Sequence, residues 1–130
     1  MKAELMYLVW VTTLTAIMWI PYILNRIMVR GIADAVGYPA HPKPQSPWAQ
    51  RMQAAHANAV ENLIVFAALV LVAQDLAVSN GTTVMACMIY FWARVAHLAA
   101  FTLALPWVRT LAFAVGFFCQ ITLAWQLLAR

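Results

Sequence analysis

The chain has 130 residues, of which 65% are hydrophobic and only 9% are charged, with a mean hydropathy of +0.80. An average soluble domain is about 45–50% apolar and about 25% charged, so a soluble globular domain, a disordered tail and a secreted disulfide scaffold are all excluded. The net charge of +4 does not indicate nucleic-acid binding, because no polar face could carry a basic patch.

The apolar content is enough for four bilayer-spanning helices of about 20 residues each. The first predicted helix covers residues 5–28. Pro21 lies within it and removes a backbone donor, which predicts a kink near residues 17–21. Gly31 is the predicted end of this helix. The segment lacks the pattern of a secretory signal, so we expect it to be retained.

A proline-rich connector follows the first helix over residues 37–47. Its four prolines exclude helix and strand and predict an extended, stiff segment at the membrane surface. The second helix is predicted over residues 47–77. Ser46 occupies its cap position and Pro47 its first turn.

The first half of the second helix is polar, over residues 51–62. Arg51, Asn58 and Asn62 fall on one stripe, Glu61 lies at its flank, and His56 points elsewhere. Because such a stripe can face protein instead of lipid, we count the helix as a span.

Two more helices are predicted, over residues 82–103 and 107–128. Asn80-Gly81 is predicted to break the chain in the turn over residues 75–81. Short loops make sequential helices antiparallel, so the predicted fold is an all-α membrane protein, a single up-down four-helix bundle over residues 1–130.

The distribution of lysine and arginine predicts the orientation. With four spans, both termini lie on one side, which carries Lys2 and Arg130. The other side carries five basic residues: Arg26, Arg30, Lys43, Arg51 and Arg109. The positive-inside rule therefore places the proline-rich loop in the cytoplasm and the termini outside a cell or inner membrane.

Charged residues inside the spans are candidates for a functional site, since each costs about 2.5–3.5 kcal/mol at mid-bilayer. Glu61 and Arg94 qualify, either as a structural ion pair or as part of a site. We expect Glu61 to be buried at a helix–helix contact and bonded to a cationic or amide partner, with Arg94 the leading candidate. Arg94 and His97 share a stripe of the third helix, and Arg109 begins a stripe of the fourth that runs to Gln120. The three stripes predict a charged pocket between helices, toward the cytoplasm.

Other readings of single residues stay open. Arg30 and Arg51 could be interface residues whose head groups reach for water, and His56 is better explained by packing than by ligand binding. The spacing of the three histidines favours no metal or haem site. Cys87 and Cys119 lie in apolar runs and are interpreted as core residues.

The polar run over residues 51–66, RMQAAHANAVENLIVF, resembles the second-helix motif of the MAPEG superfamily, the membrane-associated proteins of eicosanoid and glutathione metabolism. Residues 93–101 (ARVAHLAAF), 105–109 (LPWVR) and 113–117 (FAVGF) resemble the third-to-fourth helix region of microsomal glutathione transferases and microsomal prostaglandin E synthase. The spacing agrees across these blocks, so the resemblance covers most of the chain.

The resemblance implies a homotrimer that binds glutathione between adjacent subunits, in a site open to the cytoplasm. It implies a glutathione-dependent transferase or peroxidase-type enzyme, with glutathione as co-substrate and small lipophilic electrophiles from the lipid bilayer as substrates. Arg109 matches the arginine at the glutathione thiol. The positions that match residues around glutathione are Arg51, Asn58, Glu61, Arg94 and His97.

The chain departs from the family pattern at four positions. Ala54 and Ala57 stand where family members often have arginines, and Phe101 and Phe113 stand where they have tyrosines. Fewer cations and hydroxyl groups mean fewer strong polar contacts with glutathione. The alternative function is therefore a catalytically silent structural or accessory subunit of a membrane assembly.

Overall fold

The computed structural model describes all residues, 1–130, and contains six helices and no strand. They are α1 (Ala3–Ile17), α2 (Trp19–Arg30), α3 (Ile32–Val36), α4 (Pro47–Asp75), α5 (Gly81–Thr102) and α6 (Pro106–Leu128). Four stretches are long and apolar enough to cross a membrane: Ala3–Arg30, α4, α5 and α6. The prediction of an all-α membrane protein with four spans is confirmed.

The helices pack around one apolar centre. α5 and α6 form the largest contact, α1 packs on α4 and α5, and α2 packs on α3 and α4. Phe66 of α4 and Tyr90 of α5 stack with ring centroids 3.8 Å apart, between Val11 of α1 and Leu123 of α6. All four spans therefore contribute to the centre of the protomer.

The first span is broken where its proline requires it. α1 ends at Ile17 and α2 begins at Trp19, because Pro21 has no N–H to donate to the carbonyl four residues earlier. α2 ends before Gly31, whose φ of +77° is a conformation that glycine adopts without strain. The predicted kink and the predicted end are both confirmed, whereas the single turn of α3 was not predicted.

Ser46 does not cap α4 with its side chain, although it occupies the cap position as predicted. Its hydroxyl accepts a hydrogen bond from Asn25 Nδ2 at 2.9 Å, and its N–H donates to Asn25 Oδ1 at 3.1 Å. Asn25 is a buried amide that must satisfy its donors and acceptor within the protein. The Ser46 hydroxyl therefore bonds to Asn25 and not to the first N–H groups of α4.

A buried glutamine fastens the proline-rich connector to the first span. Gln45 Nε2 donates to the Tyr22 carbonyl at 2.6 Å and to Asn25 Oδ1 at 3.3 Å. Residues 37–46 contain no helix, as predicted, and their path is fixed at this end by Gln45.

The predicted turn over residues 75–81 is confirmed, since α4 ends at Asp75 and α5 begins at Gly81, and Asn80 also starts the new helix. Asn80 Oδ1 accepts from the N–H groups of Thr82 (2.9 Å) and Thr83 (3.0 Å), and the Asn80 N–H donates to Thr83 Oγ1 at 2.9 Å. This reciprocal pair is a capping box. The asparagine side chain satisfies N–H groups that the first turn leaves unpaired, and Gly81 becomes the first helical residue.

Candidate functional site

A polar cluster lies inside the bundle, where α4 meets α5. Arg94 is only 4% exposed; its Nη2 donates to Asn58 Oδ1 at 2.8 Å and lies 3.3 Å from His97 Nδ1. Because a guanidinium only donates, Nδ1 must accept, and a neutral His97 carries its proton on Nε2. The structure thus brings together three of the predicted site residues.

The Arg94 guanidinium is incompletely satisfied within the protomer. Its Nη1 is buried and has no hydrogen-bond partner. Gly116 of α6 faces this side chain, and a Cβ added there would lie 4.0 Å from Arg94 Cδ and 3.7 Å from the Tyr90 ring. The glycine therefore allows α6 to approach the stripe closely but does not open a ligand-sized space.

The polar cluster continues along α4 to α6. Asn62 Nδ2 donates to the Asn58 carbonyl at 3.0 Å, and Gln120 Nε2 donates to the Asn62 carbonyl at 3.2 Å. The sequence placed Asn62 and Gln120 on polar stripes but gave them no function. In the structure they join the two helices by amide contacts.

A second group of arginine side chains lies nearer the membrane surface. Arg109, in the first turns of α6, is exposed, and its Cζ lies 4.7 Å from the centroid of the Phe101 ring. Arg51 of α4 donates from Nε to the Thr102 carbonyl at 3.0 Å. Both arginines line a cleft of about 190 Å³, which we call the arginine cleft. Its other lining residues are Ala100, Phe101, Ala104, Leu105 and Pro106.

Phe101 separates the arginine cleft from the buried cluster. Its ring meets the His97 ring edge-on, with centroids 5.6 Å apart, and Arg109 Cζ lies over the same ring. Phe113 lies 6.5 Å from His97. Phe101, a ring without a hydroxyl group, thus contacts both His97 and Arg109.

Comparison with known protein families decides the relationship. The model of the MAPEG family matches residues 8–129, almost the whole chain. The chain belongs to the MAPEG family. No individual curated protein matches it significantly. Membership indicates a membrane protein with a glutathione-related function of the transferase or synthase type.

In this MAPEG protein Glu61 lies apart from the other site residues. It is exposed on the outer face of α4, and no acidic side chain of the protomer lies within 4.0 Å of a basic nitrogen. The predicted Glu61–Arg94 pair is therefore wrong for the protomer. Asn58 and Asn62, four residues apart, turn toward α5 and α6, and Glu61 is rotated about 100° from Asn62.

His56 packs against the first span, as its position off the polar stripe predicted. Its Nδ1 lies 2.7 Å from the Tyr22 hydroxyl, and the two ring centroids are 5.7 Å apart. No group of three histidine, cysteine or acidic side chains could hold a metal ion.

Sequence reasoning missed a buried acid at the opposite end of the MAPEG bundle. Glu4 is 5% exposed and accepts a hydrogen bond from Thr83 Oγ1 at 2.8 Å. A carboxylate in the first turn of an otherwise apolar helix was the available signal. An apolar groove of about 570 Å³ also lies toward this end, between α5 and α6, but it contains no charged side chain that could do chemistry.

Proposed function

We propose that this MAPEG protein activates the thiolate of glutathione toward small lipophilic electrophiles, as a transferase or peroxidase-type enzyme. The observation that supports this function best is Arg109. Its guanidinium is exposed in the arginine cleft, rests on Phe101 and donates no hydrogen bond within the protomer. A cation with free donors beside an apolar wall suits a thiolate and the electrophile that it attacks.

Arg109 would have to supply only a small free energy to stabilise the thiolate of glutathione. A free thiol has a pKa of about 8.5, and a nearby cation favours its ionised form. Raising the ionisation constant of the thiol about a hundredfold, which lowers its pKa by about two units, takes about 2.7 kcal/mol, which one guanidinium can supply in a water-poor site. Arg109 also lies near the start of α6, where unpaired backbone N–H groups add positive potential.

The remaining site residues would hold the peptide part of glutathione. Arg51 uses only Nε within the protein, so its terminal N–H groups are free for a carboxylate. Arg94, Asn58 and His97 lie deeper, behind Phe101, and the buried Nη1 of Arg94 would donate to glutathione once Phe101 moves aside. Glu61 would pair with the glutathione ammonium group from the outer face of α4.

The exposed carboxylate of Glu61 also supports assembly into a homotrimer. A charged side chain within a span almost always faces protein or a water-filled cavity and not lipid, and in the protomer the Glu61 face of α4 is uncovered. We place glutathione between adjacent subunits, where this face and the arginine cleft are completed by neighbours.

The distribution of basic residues supports a cytoplasmic site. Five of them lie at the end that carries the arginine cleft and two at the other, and this excess supports termini outside the cytoplasm. A reporter fused after Arg130 is expected to be active only in the non-cytoplasmic compartment. Activity of that fusion in the cytoplasm would contradict the proposed orientation.

A glutathione titration of the detergent-purified protein tests the proposal. We expect saturable binding at or below millimolar glutathione, followed by conjugation of a generic aryl halide. The absence of binding at millimolar concentration would exclude the enzyme.

A second candidate function is favoured by Phe101. Its ring fills the wall beneath Arg109 and offers no hydroxyl to a ligand, which fits a catalytically silent subunit of a membrane assembly. Such a subunit would neither bind glutathione in the titration nor turn over the aryl halide.

A further inference from the structure

Three basic residues lie where the first span meets the proline-rich connector. Arg30 Nε donates to the Lys43 carbonyl at 2.8 Å, and Arg26 Nε donates to Gln45 Oε1 at 3.3 Å. Gln45 is itself buried and fixed to the first span. Both guanidinium groups are therefore oriented by the connector through Nε, which leaves their terminal nitrogens pointing away from these bonds.

These terminal nitrogens have no partner in the protomer. Neither the Nη atoms of Arg26 and Arg30 nor Nζ of Lys43 donates a hydrogen bond. Asp34, the acidic residue nearest in sequence, lies beyond ion-pair distance of all three. Pre-oriented guanidinium groups with free N–H pairs match the oxygens of a phosphate group.

Large apolar side chains are exposed in the segment that directly follows the two arginines. Ile32 is 70% exposed and Val36 76%, both on α3. Apolar side chains beside cations at the end of a span suit the boundary between head groups and acyl chains.

We propose that Arg26, Arg30 and Lys43, with Ile32 and Val36, form a binding surface for an anionic phospholipid. The basic side chains bind its phosphate, and the apolar side chains contact its acyl chains. A net negative head group is favoured over a zwitterionic one because the surface carries three cations and no paired acid. This lipid site does not rest on the proposed glutathione chemistry.

The test measures the binding of phosphatidylglycerol to the purified protein in mixed detergent micelles, with phosphatidylcholine as the zwitterionic reference. The parent is expected to bind phosphatidylglycerol preferentially. Lys43→Gln keeps the main-chain carbonyl that Arg30 uses, so it removes a charge without removing that bond. Affinity is expected to fall about fivefold with Lys43→Gln, and about fivefold again when Arg30→Gln is added.

The matched control is the double variant Lys2→Gln with Arg130→Gln, which removes two charges at the opposite end and is expected to leave binding unchanged. Val36→Ser is expected to weaken phosphatidylglycerol binding with all the charges kept. Equal binding of phosphatidylcholine, an equal loss in the control, or full competition by inorganic phosphate at the lipid's own concentration would each overturn the proposal.

Discussion

Arg94 is a buried cation held by neutral groups alone. Its Nη2 has Asn58 and His97 as partners, and its Nη1 has none. Hydrogen bonds between membrane helices contribute only about 0.6 kcal/mol on average, but a charged group that loses its partner costs about 1–3 kcal/mol. The second value applies here, because the guanidinium stays charged when an acceptor is removed.

Asn58→Ala is therefore expected to destabilise the protein by about 1–3 kcal/mol, because Nη2 of Arg94 keeps only His97. Thermal melting in detergent measures the effect. Gln53→Ala, an exposed amide on the same helix, is the control and should melt like the parent. Equal melting of Asn58→Ala and Gln53→Ala would show that the Asn58–Arg94 bond contributes nothing.

Arg109→Ala is expected to raise the pKa of the bound glutathione thiol and to slow conjugation, since the nearest cation is lost. Thiolate absorbance against pH and turnover of an aryl halide measure the two effects. Arg109→Lys should rescue partly, because it keeps the charge but loses the planar fork. Arg130→Ala, at the opposite end, serves as control. An unchanged thiol pKa in Arg109→Ala would remove the assigned role.

For single residues, the sequence predicted which side chains share a polar face of each helix but not every contact between those faces. The stripes placed Arg94 and His97 together on α5, as the structure shows. They could not decide whether Asn58 or Glu61 meets Arg94, because both lie near the same stripe of α4. That choice depends on the rotation of one helix against its neighbour, which packing determines.

Helix ends of this protein depend on single side chains. Asn80 accepts from two backbone N–H groups of α5, and its Nδ2 donates to Gln126 Oε1 at 2.9 Å. It therefore both starts α5 and ties that start to the end of α6.

Asn80→Ala is expected to cost about 1 kcal/mol through loss of the cap. Asn80→Asp keeps the accepting oxygen and should retain most of the stability. Gln126→Ala removes only the contact with α6 and separates that contribution. Denaturation in mixed micelles compares the three variants; equal losses for Asn80→Ala and Asn80→Asp would argue against capping as the cause.

The sequence predicted the spans within two residues at each end, because their apolar runs and prolines are strong local signals. It missed α3, since five residues are too short to show a helical period. It also missed the role of Gln45, whose partners Tyr22 and Asn25 are more than 15 residues distant. Long-range polar contacts leave no local pattern.

For the whole molecule, a charge reversal at Glu61 is the clearest test of the proposed trimer. Glu61→Lys is expected to lower the trimer fraction, because it reverses the charge on a face that neighbours must cover. Native mass spectrometry in detergent measures the oligomer. Asp75→Lys makes the same charge change at the exposed end of α4 and should leave the oligomer intact; a trimer unaffected by Glu61→Lys would place that face outside the interface.

The protomer contains no ion pair. A change in ionic strength should therefore act on the contacts of this protein with other molecules and not on its fold. The screening length falls from about 10 Å in 0.1 M salt to about 3 Å in 1 M salt. Within the bundle no ion pair exists for the added salt to weaken, so the fold does not depend on ionic strength in this way. Added salt should therefore weaken the contacts that charged side chains make with outside molecules while each bundle stays folded.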